Sequence, residues 1–299
     1  MRLKICSLLI LSVCFLSCQN GKQEASLTSG EISIVVDESF SPIIEDHAYV
    51  FESTYTGGKL NMIYKPENEV LELFLTDSVR VAILSRELTA DEAKFYENKK
   101  IRLRVNRFAV DGIALITHKT NPDSLITVNE IIAVMQGKPG RIKSLVFDNP
   151  NSSTVRYFKD LAGVNQLPSE GIYALNSNPE VINYVIDNPG SIGVIGINWI
   201  VQPEEDMEEV VKEVKILGVK NVPGKPGSDG YYKPNQTDLA NETYPLTRNL
   251  YIINGEGRGG LGTGFATFIA GELGQRIVLK SGLLPDSMPT RQVIINNNN

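Results

Sequence analysis

Three consecutive hydroxyl side chains carry the most recognisable chemistry in this sequence. Ser152, Ser153 and Thr154 follow a polar corner and open a predicted helix that runs to Leu161. A helix start leaves backbone N–H groups unpaired and carries a partial positive charge, so hydroxyls placed there can form a cradle for an anion. They can equally be ordinary N-caps, because Ser and Thr are favoured at that position in any protein. The rest of the chain must decide between the two.

The N-terminus has the pattern of an export signal. Arg2 and Lys4 precede an uncharged stretch, residues 5–17, which is long enough for a signal-peptide core and too short for a stable membrane span. We therefore expect residues 1–17 to be a signal peptide. The polar residues that follow, 18–30, are expected to be a flexible tether.

The cysteines point to lipidation. All three lie in the same N-terminal region: Cys6, Cys14 and Cys18. A mature chain that begins at Cys18 has no second thiol for an internal disulfide. The surrounding residues resemble a bacterial lipoprotein site, so we expect an acylated Cys18 that faces the periplasm. The alternative is an uncleaved or unlipidated signal with incidental cysteines.

The composition limits the classes of function. The chain has 299 residues, 42% of them hydrophobic, which is enough for one large or two medium α/β units. Its formal charge is −6, and loss of Arg2 and Lys4 would make it −8. The sequence contains no cluster of Lys and Arg, so the electrostatic footprint of a nucleic-acid-binding protein is missing.

Strand and helix patterns alternate along the chain and predict two α/β units. The first unit is expected from these segments: Ile32–Val36, Pro42–Glu52, Lys59–Tyr64, Pro66–Leu75 and Val79–Leu84. Long β runs at Ile101–Arg107 and Ala109–Thr117 then lead into a second series. Such alternation is typical of a mostly parallel sheet with ligands near the carboxyl ends of its strands. We place the first part of lobe 1 at 31–115 and lobe 2 at 116–219.

The last part of the chain, residues 220–299, is predicted to return to lobe 1. Lys212–Val219 precedes it as a single strand, and Pro223–Pro234 is a turn-rich loop that is either functional or mobile. A strand at Asn249–Ile253 and a final helix near Gly264–Ser281 are expected. Thr89 and Thr127 each begin a predicted capping box, which is a structural signal.

Five stretches resemble one family of exported binding proteins, in order along the chain. They are Asp37–Pro42, Val81–Leu88, Ser152–Phe158, Asn188–Val194 and the C-terminal segments Tyr244–Arg248, Gly274–Arg276 and Gly282–Pro285. Together they resemble the PstS-like phosphate-binding group of ABC-transporter solute-binding proteins. The resemblance implies an α/β, two-lobed type II periplasmic-binding-protein fold, in which each lobe is a mostly parallel sheet flanked by helices.

The resemblance also implies a ligand site and partners. Three places would converge on one phosphate or similar oxyanion: Ser39 with the Phe40 N–H, Ser85 with Arg86, and Ser152 to Thr154. Hydroxyls and amides suit a tetrahedral oxyanion because they donate directional hydrogen bonds without burying several charges. The expected partners are the membrane, through the lipid, and an ABC-transporter permease. We expect a monomer with no cofactor and no enzymatic activity.

Asp148 departs from the family pattern and is itself a candidate ligand contact. Many phosphate binders resembling this chain have an arginine four residues before the hydroxyl motif, where this sequence has Asp148. Two like charges about 4 Å apart cost roughly 4 kcal/mol at an effective dielectric near 20, and a helix terminus returns only about 0.3–2 kcal/mol. Asp148 could accept a proton from the ligand, it could point away, or the ligand is not phosphate. We favour Arg86 as the compensating cation; the alternative is a salt bridge to Glu87 or Glu92.

Other motifs carry weaker signals. Residues 257–262 satisfy a G-x-G-x-x-G pattern that contains Arg258, but no second strand with an acidic residue follows, so a flexible turn is favoured over a nucleotide site. His47 and His118 are expected to be structural or exposed. Tyr231 and Tyr232 are expected to pack against the protein. A rival function is a ligand-free protein of the same fold that docks a partner through Pro223–Pro234.

Overall fold

The computed structural model describes residues 26–257 and 259–288. The strands are β1 (Ser29–Asp37), β2 (Gly57–Lys65), β3 (Val81–Leu84), β4 (Arg104–His118), β5 (Leu125–Thr127), β6 (Leu145–Phe147), β7 (Ile172–Ala174), β8 (Ile192–Gly196), β9 (Val214–Ile216), β10 (Gly218–Lys220), β11 (Thr247–Asn254) and β12 (Leu284–Pro285). The α-helices are α1 (Ser41–Thr54), α2 (Glu67–Leu75), α3 (Ala90–Asn98), α4 (Val128–Met135), α5 (Ser153–Ala162), α6 (Asn178–Asp187), α7 (Asn198–Val201), α8 (Gln236–Ala240), α9 (Leu261–Ala270) and α10 (Glu272–Lys280). Every element predicted for the first unit is present.

The first lobe is built on a sheet with strand order β2-β1-β3-β11-β4. β1 is parallel to β2 and β3, whereas β11 is antiparallel to both β3 and β4. Helices cover both faces of this sheet. Phe51 on one face packs edge-on against Phe265 at a centroid distance of 5.4 Å, and Phe74 on the other packs against Tyr96 at 4.9 Å. Burial on both faces explains why these strands read as continuous apolar runs.

The second lobe continues from the same long strand. The first half of β4 pairs with β11, and its second half, Ile113–His118, pairs with β8 and β9. β6 lies between β8 and β7 and is parallel to both. The two β runs predicted around residue 108 are therefore one strand that links the two sheets. The predicted domain boundaries stay predictions.

Two predicted elements are divided in the structure. The single strand expected at Lys212–Val219 is two strands, because Leu217 N–H donates to Leu115 O at 2.8 Å and Gly218 N–H then turns to Ser124 O at 2.9 Å. The chain thus leaves β4 and pairs with β5. The final helix is also interrupted, since Gly271 is extended, with ψ of 174°, and separates α9 from α10.

Both predicted capping boxes are confirmed. The Thr89 hydroxyl accepts from Glu92 N–H, and the Thr127 hydroxyl accepts from Glu130 N–H, with each glutamate returning a bond to the cap. Across residues 26–257 and 259–288, no helix combines the length and the apolar character that a membrane span requires.

Candidate functional site

Hydroxyl side chains from both lobes meet at the carboxyl ends of β1 and β6. Ser39 lies in the 3-10 turn after β1, and Ser153 begins α5 after β6. Their Oγ atoms are 3.4 Å apart, and both residues are fully buried. Parallel strands direct the residues after their carboxyl ends toward the same crevice, which is the usual position of a ligand in such folds. The structure therefore brings together two of the three predicted loops.

The start of α5 serves both as a cap and as part of this cluster. Ser152 is the N-cap, and its Oγ accepts from Val155 N–H at 3.3 Å. The same Oγ lies 2.8 Å from Thr154 Oγ1. The N-cap and the cradle that the sequence left as alternatives thus involve the same hydroxyls.

Asp148 is fully buried and accepts hydrogen bonds from three elements. Thr154 Oγ1 donates to Asp148 Oδ1 at 2.6 Å, and Ser39 Oγ donates to Asp148 Oδ2 at 3.2 Å. Asn178, the first residue of α6, donates through Nδ2 to Oδ2 at 3.3 Å. The carboxylate therefore faces the hydroxyl cluster directly.

Arg248 supplies the guanidinium of this cluster. Its Nη1 donates to Ser153 Oγ at 2.7 Å and its Nε donates to Asp111 Oδ2 at 2.8 Å. The guanidinium carbon lies 4.4 Å from the centroid of the Phe40 ring, which holds it by a cation–π contact. Among the described residues, Arg248 Nη2 has no hydrogen-bond partner.

The sequence interpretation did not single out Arg248 or Asp111 as site residues. A signal was present, because each places a charge within or beside an apolar β run. A charged side chain in a buried strand requires a partner. Their pairing in register across β11 and β4 became visible only with the fold.

The Ser39 loop is also held by the second lobe. Trp199 Nε1 donates to Ser39 O at 3.0 Å, and Asn198 Nδ2 donates to the same oxygen at 3.4 Å. Both residues belong to α7, directly after β8. The carbonyl of Ser39 is therefore a second connection between the lobes.

Carboxyl groups around the cluster have raised pKa values. Burial and, after it, repulsion from Glu67 raise the pKa of Asp37 to about 6, against the opposing effect of the Arg248 charge. Burial also raises the pKa of Asp111 against the effect of Arg248. Glu38 has its pKa raised to about 7, first by burial and then by repulsion from Asp148. The centre of the interface thus favours protonated or paired carboxyl groups.

Ser85 lies in a separate polar network that also crosses the interface. Its Oγ donates to Glu67 Oε2 at 3.1 Å and accepts from Arg156 Nη2 at 2.9 Å. Arg156, on α5, also donates to both carboxylate oxygens of Glu67, on α2. This network is a clasp between the two lobes.

Arg86 forms its main contacts with Glu92. Nη1 and Nη2 donate to the two carboxylate oxygens at 2.8 and 2.7 Å, and Nε lies 3.7 Å from Glu67 Oε1. Hydrogen bonds from Arg86 lower the pKa of Glu92 to about 2. The structure thus contains the salt bridge to Glu92 that was the alternative for this residue. The role of Arg86 as the ligand's cation stays a prediction.

The remaining candidates lie away from the cluster. His47 is buried, with its ring nitrogens 2.7 and 3.0 Å from the carbonyls of Ile43 and Gly274, whereas His118 contacts the Thr120 hydroxyl. Within the described ranges, no group of three or more His, Cys, Asp or Glu residues could hold a metal ion. Cys18 and Arg258 lie outside the described residues.

Comparisons with known proteins agree with this architecture. The phosphate-binding protein PstS of Pseudomonas aeruginosa is 22% identical over 88% of this chain and 85% of its own length. PstS of Staphylococcus aureus is also 22% identical, over 79% of this chain and 72% of its own. These relatives are described as binding proteins and not as enzymes.

Solved structures share the fold. A phosphate ABC-transporter substrate-binding protein from Clostridium perfringens, with bound phosphate, matches 86% of this chain and all of its own with a TM-score of 0.69 at 22% identity. An ABC-type phosphate transport receptor from Vibrio cholerae matches the same shares with a TM-score of 0.64 at 19% identity. The α/β, two-lobed type II fold predicted from the sequence is confirmed. A family model described as the PBP superfamily domain matches residues 21–272, and the chain belongs to that family.

Proposed function

We propose that this protein is a solute-binding protein that captures phosphate, or a similar tetrahedral oxyanion, between its two lobes. The observation that carries the proposal is the buried cluster in which Ser39 and Ser153, from different lobes, meet the guanidinium of Arg248. Several hydroxyl donors and one guanidinium match the directional acceptors of a small oxyanion. The relatives from Pseudomonas aeruginosa and Staphylococcus aureus are phosphate-binding proteins, which supports this choice of ligand.

Arg248 is the proposed source of positive charge. It is buried beside the hydroxyls. Among the described residues its Nη2 has no hydrogen-bond partner, so it can still donate to a ligand. Ser152 to Thr154 and the N-terminus of α5 would supply the remaining donors on the second lobe. Ser39 and the Phe40 backbone would supply those on the first. Ser85 and Arg86 would contribute at the clasp.

A lipid on Cys18 is proposed to hold the protein on a membrane, from which it presents its solute to an ABC-type permease. The support is the signal pattern of residues 1–17 and the absence of another cysteine after Cys18. Mass spectrometry of the membrane-extracted chain should find an acylated N-terminal cysteine. Cys18→Ser should move the protein to the soluble fraction. Retention of Cys18→Ser on membranes would contradict the anchor.

Calorimetry of the non-lipidated chain with phosphate, sulfate and molybdate tests the ligand. Ser153→Ala should weaken binding of the preferred anion, because it removes the hydroxyl between Ser39 and Arg248. Ser169→Ala is a matched control, since Ser169 is exposed and distant from the cluster in sequence. The absence of both heat and thermal shift with all three anions would refute the ligand.

The alternative is a ligand-free protein of the same fold that docks a partner, with the turn-rich segment Pro223–Pro234 as the candidate surface. One observation favours it: Asp148 takes hydrogen bonds from the hydroxyls that an oxyanion would use. The same calorimetric experiment separates the two functions, because only the proposed function requires an anion to bind.

A further inference from the structure

The donor and the acceptor of each hydrogen bond in the hydroxyl cluster can be assigned from the number of protons available. Each Ser or Thr hydroxyl has one proton to donate. Thr154 gives its proton to Asp148 Oδ1, so the 2.8 Å contact between Ser152 and Thr154 must be donated by Ser152. Ser39 gives its proton to Asp148 Oδ2, so the contact with Ser153 is donated by Ser153. The hydroxyls therefore form two hydrogen-bond chains that end on Asp148, and Ser153, which begins one of them, also hydrogen-bonds the Asp37 carboxyl.

Arg248 continues one of these chains. Its Nη1 donates to Ser153 Oγ. Ser153 Oγ in turn contacts Ser39 Oγ, which donates to the Asp148 carboxylate. Asn178 adds a direct donor from a further helix. A fully buried carboxylate requires such compensation, because an unpaired buried charge is costly. Asp148 thus accepts the hydrogen bonds that a bound oxyanion would accept.

The chains cross the interface between the lobes. Ser39 follows β1 and Arg248 lies on β11, both in the first lobe, whereas Asp148 and Ser153 follow β6 of the second. The closed arrangement is therefore held by the protein's own charged and polar groups. An external anion cannot accept hydrogen bonds from the hydroxyls of Ser39 and Thr154 while these hydroxyls donate to Asp148.

We infer that Asp148 is a resident occupant of the cradle: the lobes close on this carboxylate without solute, and an external oxyanion binds by displacing it. The displacement part rests on the proposed function, whereas closure does not. Affinity for an external ligand is reduced by the fraction of molecules in which the cradle is available. This makes Asp148 a residue that sets affinity through competition with the ligand.

Small-angle scattering and calorimetry on the mature chain carrying Cys18→Ser test the inference. This parent should have the same radius of gyration with and without inorganic phosphate. Asp148→Ala should have a larger radius without phosphate, contract when phosphate is added, and bind it about tenfold or more tightly. Asp123→Asn is a matched control, because it removes an exposed carboxylate that pairs with Arg141.

The outcomes distinguish this inference from the proposed function. A parent that is compact without phosphate, an expanded Asp148→Ala and no phosphate binding by either would support the resident carboxylate and refute the ligand. A parent that is expanded and contracts with phosphate would overturn the inference while supporting the ligand. If Asp148→Ala does not fold, Ser39→Ala provides the same comparison, because it removes the interlobe donor and keeps the carboxylate. An unchanged radius in that variant would then overturn the inference.

Discussion

Arg248 on β11 and Asp111 on β4 lie directly opposite each other, and Arg248 Nε donates to Asp111 Oδ2 at 2.8 Å. Their side chains are 2% and 0% exposed, so the pair is shielded from water. A buried ion pair of this kind orients its guanidinium and becomes costly when one partner is removed. Asp111 therefore aims Arg248 at Ser153.

Arg248→Leu should lower the free energy of unfolding by about 3–5 kcal/mol, because it leaves Asp111 buried and unpaired. It should also abolish phosphate binding. The double variant with Asp111→Leu should recover much of the stability without recovering binding, since the ligand's cation is still missing. Urea unfolding and calorimetry check both effects. An Arg248→Leu variant with the parent's affinity would remove Arg248 from the site.

Arg86→Ala should weaken phosphate binding by less than about tenfold, because its guanidinium is held by Glu92 rather than by the hydroxyl cluster. The comparison is Arg248→Ala, measured under the same conditions by calorimetry. A larger loss for Arg86→Ala than for Arg248→Ala would instead establish Arg86 as the main cation, as the sequence interpretation favoured.

Gly196→Ala should destabilise the protein by about 1–3 kcal/mol, because there is no room for a methyl group. A Cβ at this position would lie 2.4 Å from Asn198 Oδ1 and 3.5 Å from Arg248 Nη2. The substitution should therefore also weaken ligand binding by displacing Asn198, whose amide donates to the Ser39 carbonyl. Gly140→Ala is the control, because a Cβ there meets nothing within 4 Å. Equal melting temperatures for the two variants would contradict the expectation.

Asp37→Asn should stabilise the protein increasingly as the pH rises from about 4 to about 6 and by a constant amount above that. Burial raises the pKa of Asp37 to about 6 from an ordinary value of 3.8, so in this window the folded chain holds a proton that the unfolded chain has lost. The folded state therefore loses stability as the pH rises, by roughly 3 kcal/mol in total. Asparagine avoids this cost and can still accept the Ser39 N–H.

Thermal unfolding of both proteins across the same pH series checks this expectation. The difference in melting temperature should widen through the window and then level off. A difference that does not change with pH would show that Asp37 is not titrating there.

Local sequence signals predicted most elements because their causes are local. The capping boxes at Thr89 and Thr127 depend on residues three apart, and the strands of each sheet follow from continuous apolar runs. The errors arose where distant contacts decide. Leu217 and Gly218 look like the inside of one strand, but their backbone groups bond to Leu115 and to Ser124 in different sheets.

The candidate site residues also separate into those that the structure brings together and those that it places elsewhere. Ser153 and Thr154 were candidates from the helix-start motif and Ser39 and Asp148 from the family resemblance, and the fold brings all four into one buried cluster. Ser85 and Arg86 were placed with them by resemblance, yet Ser85 hydrogen-bonds Glu67 of the clasp and Arg86 hydrogen-bonds Glu92.

The sequence alone was sufficient for two α/β units and for the hydroxyl motif at the start of α5, because periodicity and caps are encoded over a few residues; the two-lobed arrangement was implied by the family resemblance. Only the tertiary structure could decide which cation meets those hydroxyls and what Asp148 does. Arg248 and Asp111 are 137 residues apart in the chain and meet through strand register. The direction of the hydroxyl chains likewise depends on Ser39, which is 109 residues from Asp148. Burial and hydrogen-bond partners, unlike periodicity, are properties of the assembled lobes.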